Sequence, residues 1–276
     1  MIKKLTSLEE LRDHLEEVDG EIGFVPTMGA LHEGHLRLGK TALTECDHVI
    51  FSIFVNPKQF APHEDLAKYP RQVEEDIKKL EQIGVHAVYV PREEDIYPEG
   101  FATKISVGEI TKVLEGEFRP HFFDGVTTIV GKLFFQLMPN KAFFGEKDYQ
   151  QLQVIKKMVK DLDLPIEVIG VPTARAAESG LALSSRNAYL SAEEKHIAGQ
   201  MNIILLTMAE KLDLGEDIKE IETWGATQLG LRGFTKVDYC VIRDAETLQQ
   251  AKDPGYKRIL AAAWIGTTRL IDNIAA

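Results

Sequence analysis

The sequence predicts an α/β fold, a Rossmann-like doubly wound parallel sheet followed by a smaller α+β C-terminal domain. Three observations carry this expectation. Short apolar runs alternate with amphipathic helical stretches from residue 22 to residue 171. The run His48–Val55 (HVIFSIFV) is apolar throughout rather than alternating, as suits a strand covered on both faces. After Pro172 the composition shifts to small polar residues and the strand–helix rhythm stops.

The elements follow in order. Ile22–Val25 reads as a buried strand ended by Pro26, Gly29 marks a tight turn, and Leu36, Leu38 and Leu43 set a helix beginning near Glu33. His48–Val55 is the next strand, closed by Asn56-Pro57. Arg71–Ile83 places Val73, Ile77 and Leu80 at helical spacing, Gly84 stops it, and Val85–Val90 is a third strand. Ligands in such a sheet bind beyond the carboxyl ends of the strands. The His32–His35 loop, Asn56-Pro57-Lys58-Gln59 and the loop after Val90 all fall on that edge. Asp124–Leu137 has a helical period, Lys141–Phe144 is a short strand, Tyr149–Leu162 a helix and Ile166–Val171 the closing strand. Beyond it, Ser191 and Glu194 form a capping box for a helix to about Leu212. A helix at Asp217–Leu229 and strands at Lys236–Ile242 and Arg258–Trp264 complete the chain. The expected domains are residues 1–172 and a small lid, residues 173–276.

Composition narrows the function. The 276 residues are 44% hydrophobic and 27% charged, an ordinary soluble globular balance. A formal net charge of −11 disfavours non-specific binding to nucleic acid or to an anionic membrane, so neither is expected as a partner. Two distant cysteines, Cys46 and Cys240, imply no disulfide framework and fit a reducing, cytoplasmic location. The first residues lack a signal-peptide apolar region and read as a helix start, with Ser7 and Glu10 spaced as a capping box. Val126–Met138 is interrupted by Lys132 and is too short to span a bilayer.

Several side chains could carry chemistry. His32 and His35 stand at a loop–helix junction, where first-turn amides lack partners and the helix dipole is positive, so anions collect there. Two imidazoles can donate to phosphate oxygens, and Gly34 leaves room beside the backbone. The same tetrapeptide also fits two ordinary loop histidines, and it lacks the HExxH spacing of a zinc helix. Lys147 is either a phosphate partner or a solvated lysine. Ser184-Ser185-Arg186 offers two hydroxyls and a guanidinium suited to phosphate, or is a plain linker. Gln59 and Gln151 suit the hydroxyl and carboxylate oxygens of a substrate, or are satisfied surface amides. Asp76, in the acidic run with Glu74 and Glu75, could hold Mg²⁺ through oxygen or face solvent. Taken together these residues sketch a cationic phosphate pocket beside an amide-lined one.

Five ordered motifs extend the reading: VPTMGALHEGH (25–35), FVNPKQF (54–60), YPR (69–71), FFGEKDYQQLQV (143–154) and GLALSSRNAYLS (180–191). They resemble the pantothenate synthetase (pantoate–β-alanine ligase) family, from about Gly23 to Leu190. The resemblance implies an ATP-dependent ligase that condenses (R)-pantoate with β-alanine through a pantoyl adenylate, releasing AMP and pyrophosphate. It also implies a cytoplasmic homodimer using Mg²⁺. Carried over by position, the ATP site is Met28, Gly29, Ala30, Leu31, His32, Glu33, Gly34, His35, Gly145, Glu146, Lys147, Asp148, Ala174, Leu183, Ser184, Ser185 and Arg186. His35 matches the family's proton donor, with His32, Lys147 and Arg186 beside it in catalysis. Gln59 matches the glutamine shared by pantoate and β-alanine and Gln151 the second pantoate glutamine, Asn56 and Tyr69 are expected near the substrate, and Asp76 near the metal.

Three departures from the family pattern are visible. Phe122 stands where a histidine is usual, Lys58 stands where Leu or Met is common, and the Arg175–Gly180 segment is one residue longer than usual. The nearest rival is an adenylyltransferase of the same fold acting on a phosphate-bearing acceptor; the neutral pair Gln59 and Gln151 argues against it. A nucleotide-binding regulatory module without turnover is a second rival. An aminoacyl-tRNA synthetase is disfavoured by the acidic charge.

Overall fold

The computed structural model describes residues 1–60, 66–252 and 255–276. These divide into two compact units, Met1–Glu146 with Gln151–Val171, and Lys147–Gln150 with Pro172–Ala276. Four residues that a single cut after residue 172 would leave in the first unit therefore pack with the second.

In the first unit the chain runs β1 (Lys3–Leu5), α1 (Leu8–Glu16), β2 (Ile22–Thr27), α2 (Glu33–Glu45), β3 (His48–Ile53), α3 (Val73–Gln82) and β4 (Ala87–Tyr89). It continues through the short α4 (Glu93–Ile96) and α5 (Glu115–Phe118), then α6 (Phe122–Leu137), β5 (Lys141–Gly145), α7 (Tyr149–Asp161) and β6 (Glu167–Val171). The sheet order is β1-β4-β3-β2-β5-β6, all parallel. The winding reverses between β2 and β5, so the crevice where such sheets bind ligands opens at the carboxyl ends of those two strands. Successive residues of β2 serve opposite faces: Val25 packs with Leu38, Ala42 and Leu80, while the Phe24 ring meets the edge of Phe134 on α6 at 6.3 Å.

Several boundaries differ from the expected ones. The amino terminus forms β1 before Ser7 caps α1, with Leu5 paired to Tyr89; three residues are too few to show a period. Ser7 Oγ takes the Glu10 amide at 3.1 Å as expected, while the Glu10 carboxylate reaches back one residue further, to the Thr6 amide at 2.6 Å. Pro26 lies inside β2 rather than ending it. Pairing with β5 stops at Phe24, past which a residue without an N–H is tolerated.

The second unit carries α8 (Ala192–Asp213), α9 (Ile218–Leu231), β7 (Lys236–Asp244), β8 (Lys257–Ile265) and β9 (Thr268–Ala275), the strands forming an antiparallel β7-β8-β9 sheet. Ser191 and Glu194 do form the expected reciprocal cap at 3.2 and 2.8 Å. Met201, Leu205 and Met208 of α8 share a core with Leu229 of α9, and Ala261 and Ala263 of β8 keep that interface thin. Strand β9 was not expected. Its apolar pattern is broken by Asp272 and Asn273, which are buried because arginines bind them: Arg175 on Asp272 at 2.6 and 2.8 Å, and Arg258 on Asn273 at 2.6 Å. Among the described residues no helix is long and apolar enough to cross a membrane.

Candidate active site

The loop between β2 and α2 is held from below. Gly29 and Ala30 both have positive φ, +84° and +53°, and a left-handed alanine costs roughly 1–2 kcal/mol. Asp76 of α3 offsets that cost: Ala30 N donates to Oδ2 and Leu31 N to Oδ1, both at 2.8 Å. Gln72 donates to the same carboxylate at 3.3 Å, and Lys79 bonds the Leu31 carbonyl at 2.8 Å while lying 3.6 Å from Asp76. Asp76 is 0% exposed.

The two histidines follow at the helix start, and the backbone fixes their tautomers. His32 Nδ1 accepts from Gly34 N at 3.1 Å, and His35 Nδ1 accepts from His32 N at 3.3 Å. An imidazole nitrogen that accepts an N–H is unprotonated, so in each neutral ring the hydrogen is on Nε2. The rings lie 4.1 Å apart. The amino end of α2 thus carries two Nε2–H donors, in keeping with an anion site.

After β3, Asn56 caps the turn Pro57–Gln59 and binds Gln59 Oε1 through its Nδ2 at 2.9 Å. Gly125 of α6 lets the helix touch this turn: a Cβ there would lie 2.6 Å from Lys58 C and 3.0 Å from Gln59 N. Arg119 donates to the Gln59 carbonyl at 3.0 Å. Tyr69 is buried with its ring against Phe60, and Gln151 is half-buried at the start of α7. Gly145 and Glu146 leave the carboxyl end of β5.

In the second unit, Lys147 has its carbonyl held by Asn273 Nδ2 at 2.8 Å, and Tyr149 donates to the Ala245 carbonyl at 2.9 Å beneath the Arg258 guanidinium. Lys147 lies 3.6 Å from Asp148. Leu183 N bonds the Ala174 carbonyl at 2.9 Å, and Ser184 Oγ caps the Ser185–Tyr189 turn through Arg186 N at 3.3 Å. That turn packs against β9, the strand that also carries Asn273.

The family model described as pantoate-beta-alanine ligase matches residues 1–275. The chain belongs to the pantoate–β-alanine ligase family. It is 49% identical to a pantothenate synthetase of Ruegeria sp. (strain TM1040), covering 100% of this chain and 98% of that one, and 50% identical to one of Idiomarina loihiensis over 98% and 96%. A Thermus thermophilus pantothenate synthetase structure superposes with a TM-score of 0.94 at 44% identity and 99% coverage of both chains. A Francisella tularensis pantoate–β-alanine ligase, solved with a β-γ ATP compound and β-alanine, gives 0.84 at 37% identity, covering 100% of this chain and 98% of that one.

Two expected ligand contacts are corrected by the geometry of this family member. Asp76 is fully buried and both its oxygens accept backbone N–H bonds, so it anchors the turn before α2 rather than facing an open metal position; among the described residues no cluster of three His, Cys, Asp or Glu side chains suits a metal. Asn56 is 1% exposed with both amide atoms bonded within the protein, so it supports Gln59 rather than touching substrate.

The departures from the family pattern also acquire an account. Phe122 lies under the Arg119 guanidinium at 3.9 Å, and Lys58 turns its ammonium over the rings of Tyr97 and Phe101 at 4.2 and 4.4 Å. The longer Arg175–Gly180 segment closes on itself as Arg175 bonds the Gly180 carbonyl at 3.1 Å. The support residues Gly125, Tyr97 and Asn273 had no sequence signal beyond their type. Burial pushes the thiols up, Cys46 to about 11 and Cys240 to about 12, so neither is a thiolate nucleophile near neutral pH.

Proposed function

We propose that this chain condenses (R)-pantoate with β-alanine at the expense of ATP, through an enzyme-bound pantoyl adenylate. The observation that carries this reading is the pair of Nε2–H imidazoles at the amino end of α2, in a chain that matches the ligase family over residues 1–275. A carboxylate is a poor acyl donor. Its oxygen attacks the α-phosphorus of ATP in line, an O–P bond forms, and the bond to the pyrophosphate oxygen breaks. The β-alanine amine then attacks the acyl carbon, AMP leaves with its oxygen, and the attacking nitrogen loses a proton to give the neutral amide. Two anions meet in the first step, so charge neutralisation and positioning supply the acceleration.

His32 and His35 donate through Nε2 to phosphate oxygens as charge develops, and Lys147 and Arg186 bind the phosphates as cations. Gln59 and Gln151 hold pantoate, with Tyr69 beside them. Met28 to His35, Gly145 to Asp148, Ala174 and Leu183 to Arg186 form the nucleotide contacts. Mg²⁺, where bound, would be held largely by the triphosphate and water and would supply further neutralisation of the phosphate charge. The enzyme is a cytoplasmic homodimer; sedimentation at twice 30.9 kDa supports that assembly and sedimentation at 30.9 kDa refutes it.

Incubation with ATP, pantoate and β-alanine tests the reaction. AMP, pyrophosphate and pantothenate should appear in equal amounts. Release of ADP, or AMP formation that does not need pantoate, overturns the proposal.

A further inference from the structure

The side-chain amide of Gln59 has a donor end and an acceptor end, and the choice between them is made elsewhere. Asn56 Nδ2 lies 3.1 Å from the Gly125 carbonyl, which only accepts, and Asn56 Oδ1 lies 3.3 Å from the Lys58 amide, which only donates. Those two backbone groups fix the Asn56 amide in one orientation. Oδ1 then takes the Tyr97 hydroxyl at 2.7 Å, and Nδ2 gives its other hydrogen to Gln59 Oε1 at 2.9 Å. With Oε1 occupied, Gln59 offers its Nε2 hydrogens to a ligand.

We infer that Tyr97 is a positioning residue for the pantoate site, acting through Asn56 to hold Gln59 with its amide donors presented. The position then selects a ligand group that accepts: a carboxylate, carbonyl or hydroxyl oxygen. This rests on the proposed role of Gln59 in holding pantoate. Tyr97 suits the task. Burial pushes its phenol up, so it keeps its hydrogen across the working range of pH. The Lys58 ammonium over its ring draws electron density from the phenol and strengthens the hydroxyl as a donor. Phe54 and Phe101 fix the ring, with centroids at 6.1 and 5.2 Å.

Steady-state kinetics of Tyr97→Phe, Gln59→Ala and the double variant test this. Tyr97→Phe removes one hydroxyl and keeps the ring. The KM for pantoate should rise about tenfold, the scale of one lost hydrogen bond, while the KM for ATP stays within about twofold. In the Gln59→Ala background the same change should add less than about twofold, because coupled residues are not additive. An unchanged pantoate KM in Tyr97→Phe, with a raised one in Gln59→Ala, overturns the inference and leaves Gln59 in its role. An unchanged pantoate KM in Gln59→Ala overturns the role of Gln59 itself. Equal rises for ATP and pantoate, or full additivity, make Tyr97 merely structural and also overturn the inference. Should Tyr97→Phe fail to fold, Asn56→Ser cuts the same relay and is read by the same criteria.

Discussion

Asp76 and Ala30 are joined by a 2.8 Å hydrogen bond from a left-handed backbone amide to a carboxylate with no exposure. The bond explains how a loop with an unfavourable alanine stays in one shape at the entrance to α2. Asparagine at position 76 would keep one acceptor and turn an NH₂ toward the second backbone donor. Asp76→Asn should lose about 2–3 kcal/mol of stability, the scale of a charged buried hydrogen bond. It should also raise the KM for ATP. Urea midpoints and ATP kinetics check both; wild-type values for the two would show that the loop stands without its anchor.

Gly125 is the second support open to test. A methyl group there meets the backbone of Lys58 and Gln59, so Gly125→Ala must displace the turn that carries Gln59. The expected outcome is a raised KM for pantoate, by about tenfold if one positioned hydrogen bond is lost. The urea midpoint reports the overpacking separately.

The tautomers of the histidines give a comparison of substitutions. Gln at position 35 places an N–H near the former Nε2, whereas Asn places its amide near Nδ1. His35→Gln should therefore keep more activity than His35→Asn. His35→Ala and Lys147→Ala should each cost about 2–4 kcal/mol in kcat/KM, the scale of one preorganised donor. Rates within about threefold of wild type, well under that scale, would remove these residues from the mechanism.

Asn273 holds Lys147 by its backbone, and Arg258 holds Asn273. Asn273→Ala should lower kcat with ATP saturating, in the same direction as Lys147→Ala and less severely. In the double variant the two losses should fall short of additive; full additivity would separate Asn273 from Lys147.

Acid stability should depend on His48 and His14. His14 Nε2 lies 3.0 Å from His48 Nε2, and the His48 and His86 rings stack at 4.6 Å. Burial, followed by the charges of His86, His14 and Lys3, pulls His48 down to about 4. Burial, followed by Lys3, lowers His14, against which Glu17 pulls upward. A histidine whose folded pKa lies below its unfolded value near 6.5 favours the fold fully above that value. The contribution is lost as pH falls from about 6.5 toward 4, at up to about 1.4 kcal/mol per pH unit for each proton taken up. His48→Phe should flatten the urea midpoint across that window. Parallel profiles for the variant and the wild type would contradict this.

Much of the first unit was legible because its signals are local. The apolar run at His48 and the His32–His35 junction each lie in one stretch of chain, and strand–helix alternation implies a parallel, doubly wound sheet, though not its edge strand β1. The supports were not legible, because they join distant residues. Asp76 sits in an acidic run that reads as a solvated face, yet its partners lie 45 and 46 residues away. Asn56 before Pro57 had a local cue as a turn cap, but its restraint by Gly125 and Tyr97 had none. Strand β9 was missed because Asp272 and Asn273 look like loop residues until Arg175 and Arg258 are placed beside them. The crossing of Lys147–Gln150 into the second unit has the same origin, in Asn273, Ala245 and Arg258.

Pyrophosphate exchange into ATP, measured without β-alanine, tests the adenylation step most directly. Labelled pyrophosphate should enter ATP only when pantoate is present. Exchange that ignores pantoate, or that requires a phosphate monoester in its place, would contradict carboxylate activation by this chain.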